Sequence, residues 1–556
     1  MPLPAVYDRP ASAASDSSVS LKNGMTSSQT LSQASDSWII QKFGGTSVGK
    51  FPVEIVDNIV RWVRNMSKMT RIIAHSHIRA YLKDYRVAIV CSARSTDTKT
   101  DGTTNRLLKA AEHALKKGST KHVDVVNAIK ADHITISRSL VRDAKILANL
   151  EASISRECEL LEKFLSAAQV IDEISPRTKD SIMGAGEKLS CLFMTSLLND
   201  RGIPAQYVSL DSIIPIGHSA KNGLDQSFYD HIADEIAEKI QECGEKVPVI
   251  TGYFGIVPGG LLDAIGRGYT DLCAALAAVG VNAEELQVWK EVDGIFTADP
   301  RKVPTARLIS MITPDEATEL TYYGSEVIHP FTMEQVIRAH IPIRIKNVEN
   351  PAGNGTVIFP DNISRKGDVT PPHPPTALER ISSSFFNSQK KEPTAVTTKQ
   401  NIIVLNLHSN KRFHSHGFLA EIFGILHRWE LVVDLISTSE VHVSMALHYE
   451  SREHDLRDAV DELKRLGSVD VIRDMTIVSL VGKKMKQMVG IAGKMFSTLA
   501  GAGVNIEMIS QGASEINISC VIQEKDSLKA LNVLHQHLLC NPSNADLLDS
   551  RPWLLN

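Results

Sequence analysis

Two stretches of the chain, 73 residues apart, carry the same pattern. Gly417 to Leu426 (GFLAEIFGIL) leads into Leu431 to Ser437 (LVVDLIS), and Gly490 to Leu499 (GIAGKMFSTL) leads into Val504 to Ser510 (VNIEMIS). Further on, Glu440 to Ser444 (EVHVS) matches Glu515 to Ser519 (EINIS). A repeat of this size means one supersecondary unit built twice. Each copy reads strand, helix, strand, strand, helix. The C-terminal part is therefore predicted to hold two small α+β modules, at 400–470 and 471–545.

The N-terminal part has a different rhythm. Trp38 to Ile40 is a short strand-like run, and Val53, Val56, Ile59, Val60 and Val63 recur at helical spacing. Arg86 to Ser92 (RVAIVCS), Val247 to Ile250 and Leu286 to Trp289 are apolar runs of strand length. Runs without alternation indicate a parallel sheet covered on both faces. Helical stretches at 156–168 and 228–243 fall between them. The predicted fold is α/β, a layered domain over 37–360. From 361 to 399 the periodicity lapses around Pro371 to Pro375 (PPHPP) and Ser382 to Ser384, which reads as a linker. Residues 1–36, rich in Ser and Ala, read as a disordered tail without the apolar core of a signal peptide.

Composition narrows the function classes. Hydrophobic residues are 43% and charged residues 22%, an ordinary globular balance. The net charge of −4 provides no basic field, which argues against nucleic acid as the main partner. The longest apolar stretches, such as Leu272 to Val281, fall short of the ~20 residues a membrane span needs. The seven cysteines form no C-x-x-C pair, so neither a disulfide framework nor a zinc knuckle is expected. Reduced thiols in a cytoplasmic protein are, and the N-x-S sequons at Asn362 and Asn517 read as chance.

Several strings carry candidate chemistry. Lys42 to Lys50 (KFGGTSVGK) nearly matches a Walker A loop, but Phe51 stands where Ser or Thr must ligate Mg²⁺. Gly44 and Gly45 would instead let backbone N–H groups approach phosphate oxygens, with Lys42 as a charge at the strand end. Alone, the string is equally a strand-to-helix turn. Gly266 to Asp271 (GRGYTD) precedes an apolar helix. Arg267 offers a fork for a carboxylate, and Thr270 or Asp271 can serve as cap or as ligand. Gly184 to Ser190 (GAGEKLS) reads as another helix start, with Glu187 in its first turn. Asp293 to Arg301 (DGIFTADPR) is a turn-rich loop able to receive a nucleotide.

Taken together, KFGGTS at 42–47, Thr104-Asn105, GEKLS at 186–190, GRGYTD at 266–271, VDGIFTADPR at 292–301 and YGSEVIHP at 323–330 occur in one order. That arrangement resembles the aspartokinases of the amino acid kinase family, over 38–360 and 400–540. The repeat resembles a tandem pair of ACT regulatory modules, and the wording of 289–348 is most like fungal monofunctional members. The resemblance implies a three-layer αβα catalytic domain followed by two ACT modules. It also implies transfer of the ATP γ-phosphoryl group to the side-chain carboxylate of L-aspartate, at the head of threonine and methionine synthesis.

The resemblance also distributes roles. Lys42, Arg267 and Asp271 would be catalytic. Thr104, Glu187, Arg267, Gly268, Thr270 and Asp271 would hold aspartate. Lys42, Gly44, Gly45, Lys290, Glu291, Phe296 and Arg301 would hold ATP, with Mg²⁺ bridging the phosphates and no metal site built by the chain itself. Lys290-Glu291, Glu326 and Phe296 depart from the residues common in relatives. Threonine is the expected inhibitor, with Asp434, Ser437 and His442 in the first module and Asn505, Glu507, Gln511 and Asn517 in the second as candidate contacts. A homo-oligomer through the ACT modules is expected. A kinase for glutamate, carbamate or a nucleotide, and a catalytically dead amino acid sensor, are the competing readings.

Overall fold

β1 (Ser37–Phe43) and β2 (Tyr85–Cys91) divide their side chains between two cores. Trp38, Ile40, Ala88 and Val90 enter one, while Ile39, Phe43, Val87, Ile89 and Cys91 enter the other. A strand buried on both faces must lie inside a layered sheet. The computed structural model describes residues 37–61, 63, 85–95, 102–214, 224–255, 260–261, 265, 268–323, 328–359, 392–409, 417–439, 442–449, 453–514 and 516–540. The expected tail at 1–36 and most of the expected linker, 361–391, lie outside them.

The sheet is completed by β3 (Ala205–Val208), β4 (Val247–Thr251), β5 (Glu285–Lys290), β6 (Met311–Ile312), β7 (Ile343–Asn347) and β8 (Thr356–Ile358). Its order is β3-β4-β2-β1-β5-β7-β8-β6, parallel from β3 through β7, with β8 antiparallel to β7. The Gln226–Gln241, Tyr269–Gly280 and Pro330–Arg338 helices cover one face. The Thr103–Ala114, Lys121–Leu140, Ala144–Ile171 and Pro176–Asp200 helices cover the other. This is the expected three-layer αβα arrangement.

The helix read at 156–168 is longer than expected. Leu150, Ile154, Cys158, Leu161 and Leu165 continue one buried stripe at spacings of three and four. The Asp143 carboxylate accepts the N–H groups of Lys145 and Ile146 and starts it.

The C-terminal part builds one six-stranded antiparallel sheet, in the order β10-β11-β9-β12-β14-β13. Its strands are β9 (Ala395–Ser409), β10 (Val433–Thr438), β11 (His442–His448), β12 (Gly467–Val481), β13 (Met508–Gln511) and β14 (Asn517–Gln523). The Phe418–Arg428 and Glu453–Leu463 helices pack on the first module, and Ile491–Gly501 and Ser527–Leu534 on the second. Both copies of the repeat thus fold as read.

The module borders need correction. β9 and β12 each run through an expected border. The 395–399 half of β9 pairs with 477–481 and so completes the sheet of the second module. Residues 467–472 of β12 pair with 404–409 and complete the first. A repeat in sequence marks which units recur, but not which strand closes each sheet.

On the face away from the module helices, Ile402, Val404, Leu435, Ala446, Met475, Ile477, Met508 and Val521 form a further core, and Tyr323 of the catalytic domain is inserted among them.

Candidate active site

The carboxyl ends of β1, β2 and β5 open onto a cleft of about 590 Å³. β1 lies between β2 and β5, where the strand order reverses, and such reversals are where open α/β sheets bind ligands. Gly45, Thr46, Ser92, Ala93, Thr103, Thr104, Met183, Glu187, Gly268, Thr270, Asp271, Lys290, Thr321 and His329 line it.

Lys42 is the penultimate residue of β1, in register with Val90 and Val288 on the flanking strands. Its stem is buried between them, and its Nζ lies 2.7 Å from Asp271 Oδ1. The contact is not aligned as a hydrogen bond, so the Asp271 oxygen keeps acceptor capacity. Asp271 stands in the first turn of the Tyr269–Gly280 helix. Neither Thr270 nor Asp271 caps that helix, because Gly268 is the N-cap and no side chain bonds there. Both residues line the cleft, with the Thr270 hydroxyl donated to Glu187 and Asp271 facing Lys42, so the cap reading does not hold.

Glu187 does not start a helix. It lies in the middle of Pro176–Asp200, where Ser175 is the cap. Glycines at 184 and 186 suggested a helix start, but they serve packing. A Cβ on Gly186 would lie 2.9 Å from Leu107 Cδ1 and 3.1 Å from Thr103 Cγ2. Glu187 itself is buried, and its Oε1 accepts the Thr270 hydroxyl at 2.7 Å while Oε2 accepts the Tyr253 N–H at 2.7 Å. Burial pushes its carboxyl up to about 7, although the Thr270, Tyr253 and Tyr269 donors and the nearby Lys42 charge pull the other way. Both its oxygens are bonded within the protein, so it braces the helix that carries Asp271.

Gly44 is the N-cap of the six-residue Gly45–Lys50 helix, and a Cβ there would meet nothing closer than Ser47 Oγ at 3.9 Å. Gly45 is required for another reason, since a Cβ would sit 2.2 Å from the Ala93 carbonyl oxygen. Lys50 ends that helix exposed, unlike a Walker A lysine. Thr104 lines the cleft from the first turn of Thr103–Ala114.

The expected nucleotide residues divide. Lys290 lines the cleft, and the Glu291 carboxylate accepts the Ser47 hydroxyl at 2.7 Å. Phe296 and Arg301 do not line it. Phe296 bridges Leu308 by backbone, and Arg301, with an exposed side chain, pairs with Asp299 at 3.0 Å. Arg267 and Glu326 lie outside the described residues.

The expected effector residues are spread over both modules, on β10, β11, β13, β14 and the loop before β13. Asp434 pairs with Lys399 at 2.6 Å, and Ser437 is exposed on β10. Asn505 donates to Glu507 at 2.7 Å, and Gln511 is exposed at the end of β13. His442 Nδ1 lies 3.2 Å from His408 Nδ1. Asn517 donates to Glu319 of the catalytic domain at 2.9 Å and accepts from the Ser519 hydroxyl.

Sequence reasoning assigned no role to Ser47, Tyr253, Thr321 or His329. His329 stood within the YGSEVIHP string, and its place at the cleft is set by the Pro330–Arg338 helix it precedes. The Tyr253 contribution is a backbone N–H, which no residue type signals.

Comparison with known proteins agrees with this geometry. The sequence profile of the amino acid kinase family matches residues 37–347, and that of the ACT domain matches residues 478–538. An aspartokinase of Candida albicans is 56% identical over 91% of this chain and 91% of its own length. One of Saccharomyces cerevisiae is 57% identical over 91% of this chain and 94% of its own. The crystal structure of E. coli aspartokinase III with aspartate and ADP superposes with a TM-score of 0.64 at 26% identity, over 90% of this chain and 100% of that one. With a lysine and an aspartate facing each other at the sheet's reversal point, and with this likeness along nearly all its length, the chain belongs to the aspartokinases of the amino acid kinase family and is an aspartate kinase.

Proposed function

We propose that the chain moves the γ-phosphoryl group of ATP to the side-chain carboxylate of L-aspartate in this cleft, and that threonine inhibits it through the ACT modules. The Lys42–Asp271 pair carries the reading. Phosphoryl transfer asks for positioning and charge neutralisation more than for covalent help. Lys42, anchored between two buried strands, is a fixed cation for the transferred group. Gly44 and Gly45 leave room beside it for phosphate oxygens. Asp271 answers the α-ammonium of aspartate, Arg267 forks its α-carboxylate, and Thr104, Gly268 and the Glu187–Thr270 bond shape that end of the cleft.

The nucleotide lies toward Lys290, Glu291 and the loop that follows, which leaves β5 at the edge where the cleft opens. Among the described residues no group of three or more His, Cys, Asp or Glu is arranged to hold a metal. Mg²⁺ would be carried on the nucleotide phosphates, where it would neutralise their charge. The setting is the cytoplasm, as part of a homo-oligomer joined through the ACT modules, at the first step toward threonine and methionine. An effector on those modules acts by favouring one of two global states.

The test is a threonine titration of aspartate-dependent ADP release, with lysine as control. Threonine is expected to inhibit and lysine to leave the rate unchanged. Inhibition by lysine alone overturns the effector assignment.

A further inference from the structure

The segment after β5 doubles back on itself. Thr297 N–H donates to the Arg307 carbonyl at 2.9 Å, and Ile309 N–H to the Ile295 carbonyl at 2.8 Å. Its tip enters the core of the second ACT module, where Ala298 and Val303 are buried among Val478, Leu531 and Leu534. At the base of the loop stands His535, with no exposed surface, at the end of the module's last helix. Its Nε2 lies 2.8 Å from Thr297 Oγ1, and its Nδ1 lies 3.2 Å from Thr305 Oγ1. Thr297 Oγ1 already accepts the Arg307 N–H at 2.9 Å, so its own proton is free for Nε2. Nδ1 also lies 3.5 Å from Cys540 Sγ. Burial and the Arg307 charge both lower the His535 basicity, which favours a neutral ring that donates from one nitrogen and accepts at the other. Arg307 also donates to the Leu539 carbonyl at 2.7 Å, and Asn532 to the Lys302 carbonyl at 3.1 Å.

We propose that His535 is a positioning residue for the nucleotide: its two ring nitrogens hold both sides of the 297–305 loop, so that the regulatory module sets where the loop carries Phe296 and Arg301. The inference rests on reading this loop as the nucleotide side of the cleft. Packing alone does not require an imidazole here, because leucine fills a buried site without polar atoms to satisfy. An imidazole between two hydroxyls fixes the loop at two points, each four residues from its midpoint at Arg301.

The test uses the full chain as wild type, His535→Leu and His535→Gln. It reads the KM for ATP, the KM for aspartate, kcat, and the rate of trypsin cleavage after Arg301 or Lys302. His535→Leu is expected to raise the ATP KM at least fivefold, leave the aspartate KM within twofold and speed cleavage at least fivefold. Gln, which can both donate and accept, is expected to recover at least half of each effect. Faster cleavage with an unchanged ATP KM overturns the nucleotide reading of the loop while leaving the pin intact. Unchanged cleavage overturns the pin. A parallel rise of both KM values with a fall in kcat, unrescued by Gln, makes the residue a general support and overturns the proposal. If His535→Leu does not fold, Thr305→Val removes one bond at the exposed side, and an ATP KM and cleavage rate within 1.5-fold of wild type then overturn it.

Discussion

A carboxylate held mid-helix between an N–H and a hydroxyl, away from water, does not titrate like one on the surface. Glu187, pushed up to about 7 chiefly by burial, keeps its proton in the folded state where the unfolded chain loses it at about 4.5. Between those values the folded state binds more protons, so stability falls as pH rises, by up to about 3 kcal/mol in total. Glu187→Gln removes this dependence. Urea midpoints of the two proteins from pH 4.5 to 7.5 should therefore shift in the variant's favour as pH rises, and a constant difference contradicts the assignment. At this scale the sequence singled out Lys42, Thr270 and Asp271 by side-chain type, and the structure brings the three together at the cleft. It was misleading at Glu187, because glycines that permit close helix packing look the same as glycines that start a helix. It was silent at Tyr253, whose part is played by the backbone.

Elements follow the periodicities that define them, and fail where packing crosses an element's ends. The β1 and β2 runs were legible because a strand buried twice has no polar face to show. The Pro176–Asp200 helix was legible only in part, because its middle is made of residues that touch neighbours rather than follow a stripe. Gly186 gives a direct test. Alanine is the better helix former by about 1 kcal/mol, yet its Cβ would press on Leu107, Thr103 and Ala93. Overpacking of that kind costs about 1–3 kcal/mol. Gly186→Ala should lower the Tm and the urea midpoint, and a gain in stability would mean that the neighbouring helix yields. The Pro314–Tyr322 helix shows the opposite economy, since Glu316 closes the capping box with Thr313 and its other oxygen accepts Thr394 Oγ1 at 2.6 Å and Lys483 N–H at 2.7 Å. One side chain thus starts a catalytic-domain helix and ties it to the second module.

Across the whole molecule, the catalytic and regulatory parts share structure. Tyr323 enters the core between the two modules, Asn517 bonds Glu319, and the loop after β5 is packed into the second module. Thr321, on the same helix as Glu316 and Glu319, lines the cleft. The layered N-terminal fold and the two repeated units after it were legible from periodicity and repeat. The exchange of strand halves between β9 and β12 was not, because pairing partners far apart in sequence leave no local periodicity. Wild type should unfold in one calorimetric transition. Glu316→Ala, which loses a cap and two half-buried bonds, should lose about 2–4 kcal/mol and begin to separate the transition into two. A single unshifted transition contradicts that coupling. The most direct test of the central claim is formation of the aspartyl hydroxamate by the purified chain with ATP, aspartate or glutamate, beside Lys42→Ala. A product is expected with aspartate and not glutamate, and the rate should fall about 10²–10³-fold in the variant with its fold intact. Equal use of glutamate, or a Lys42→Ala rate within about threefold of wild type, would contradict it.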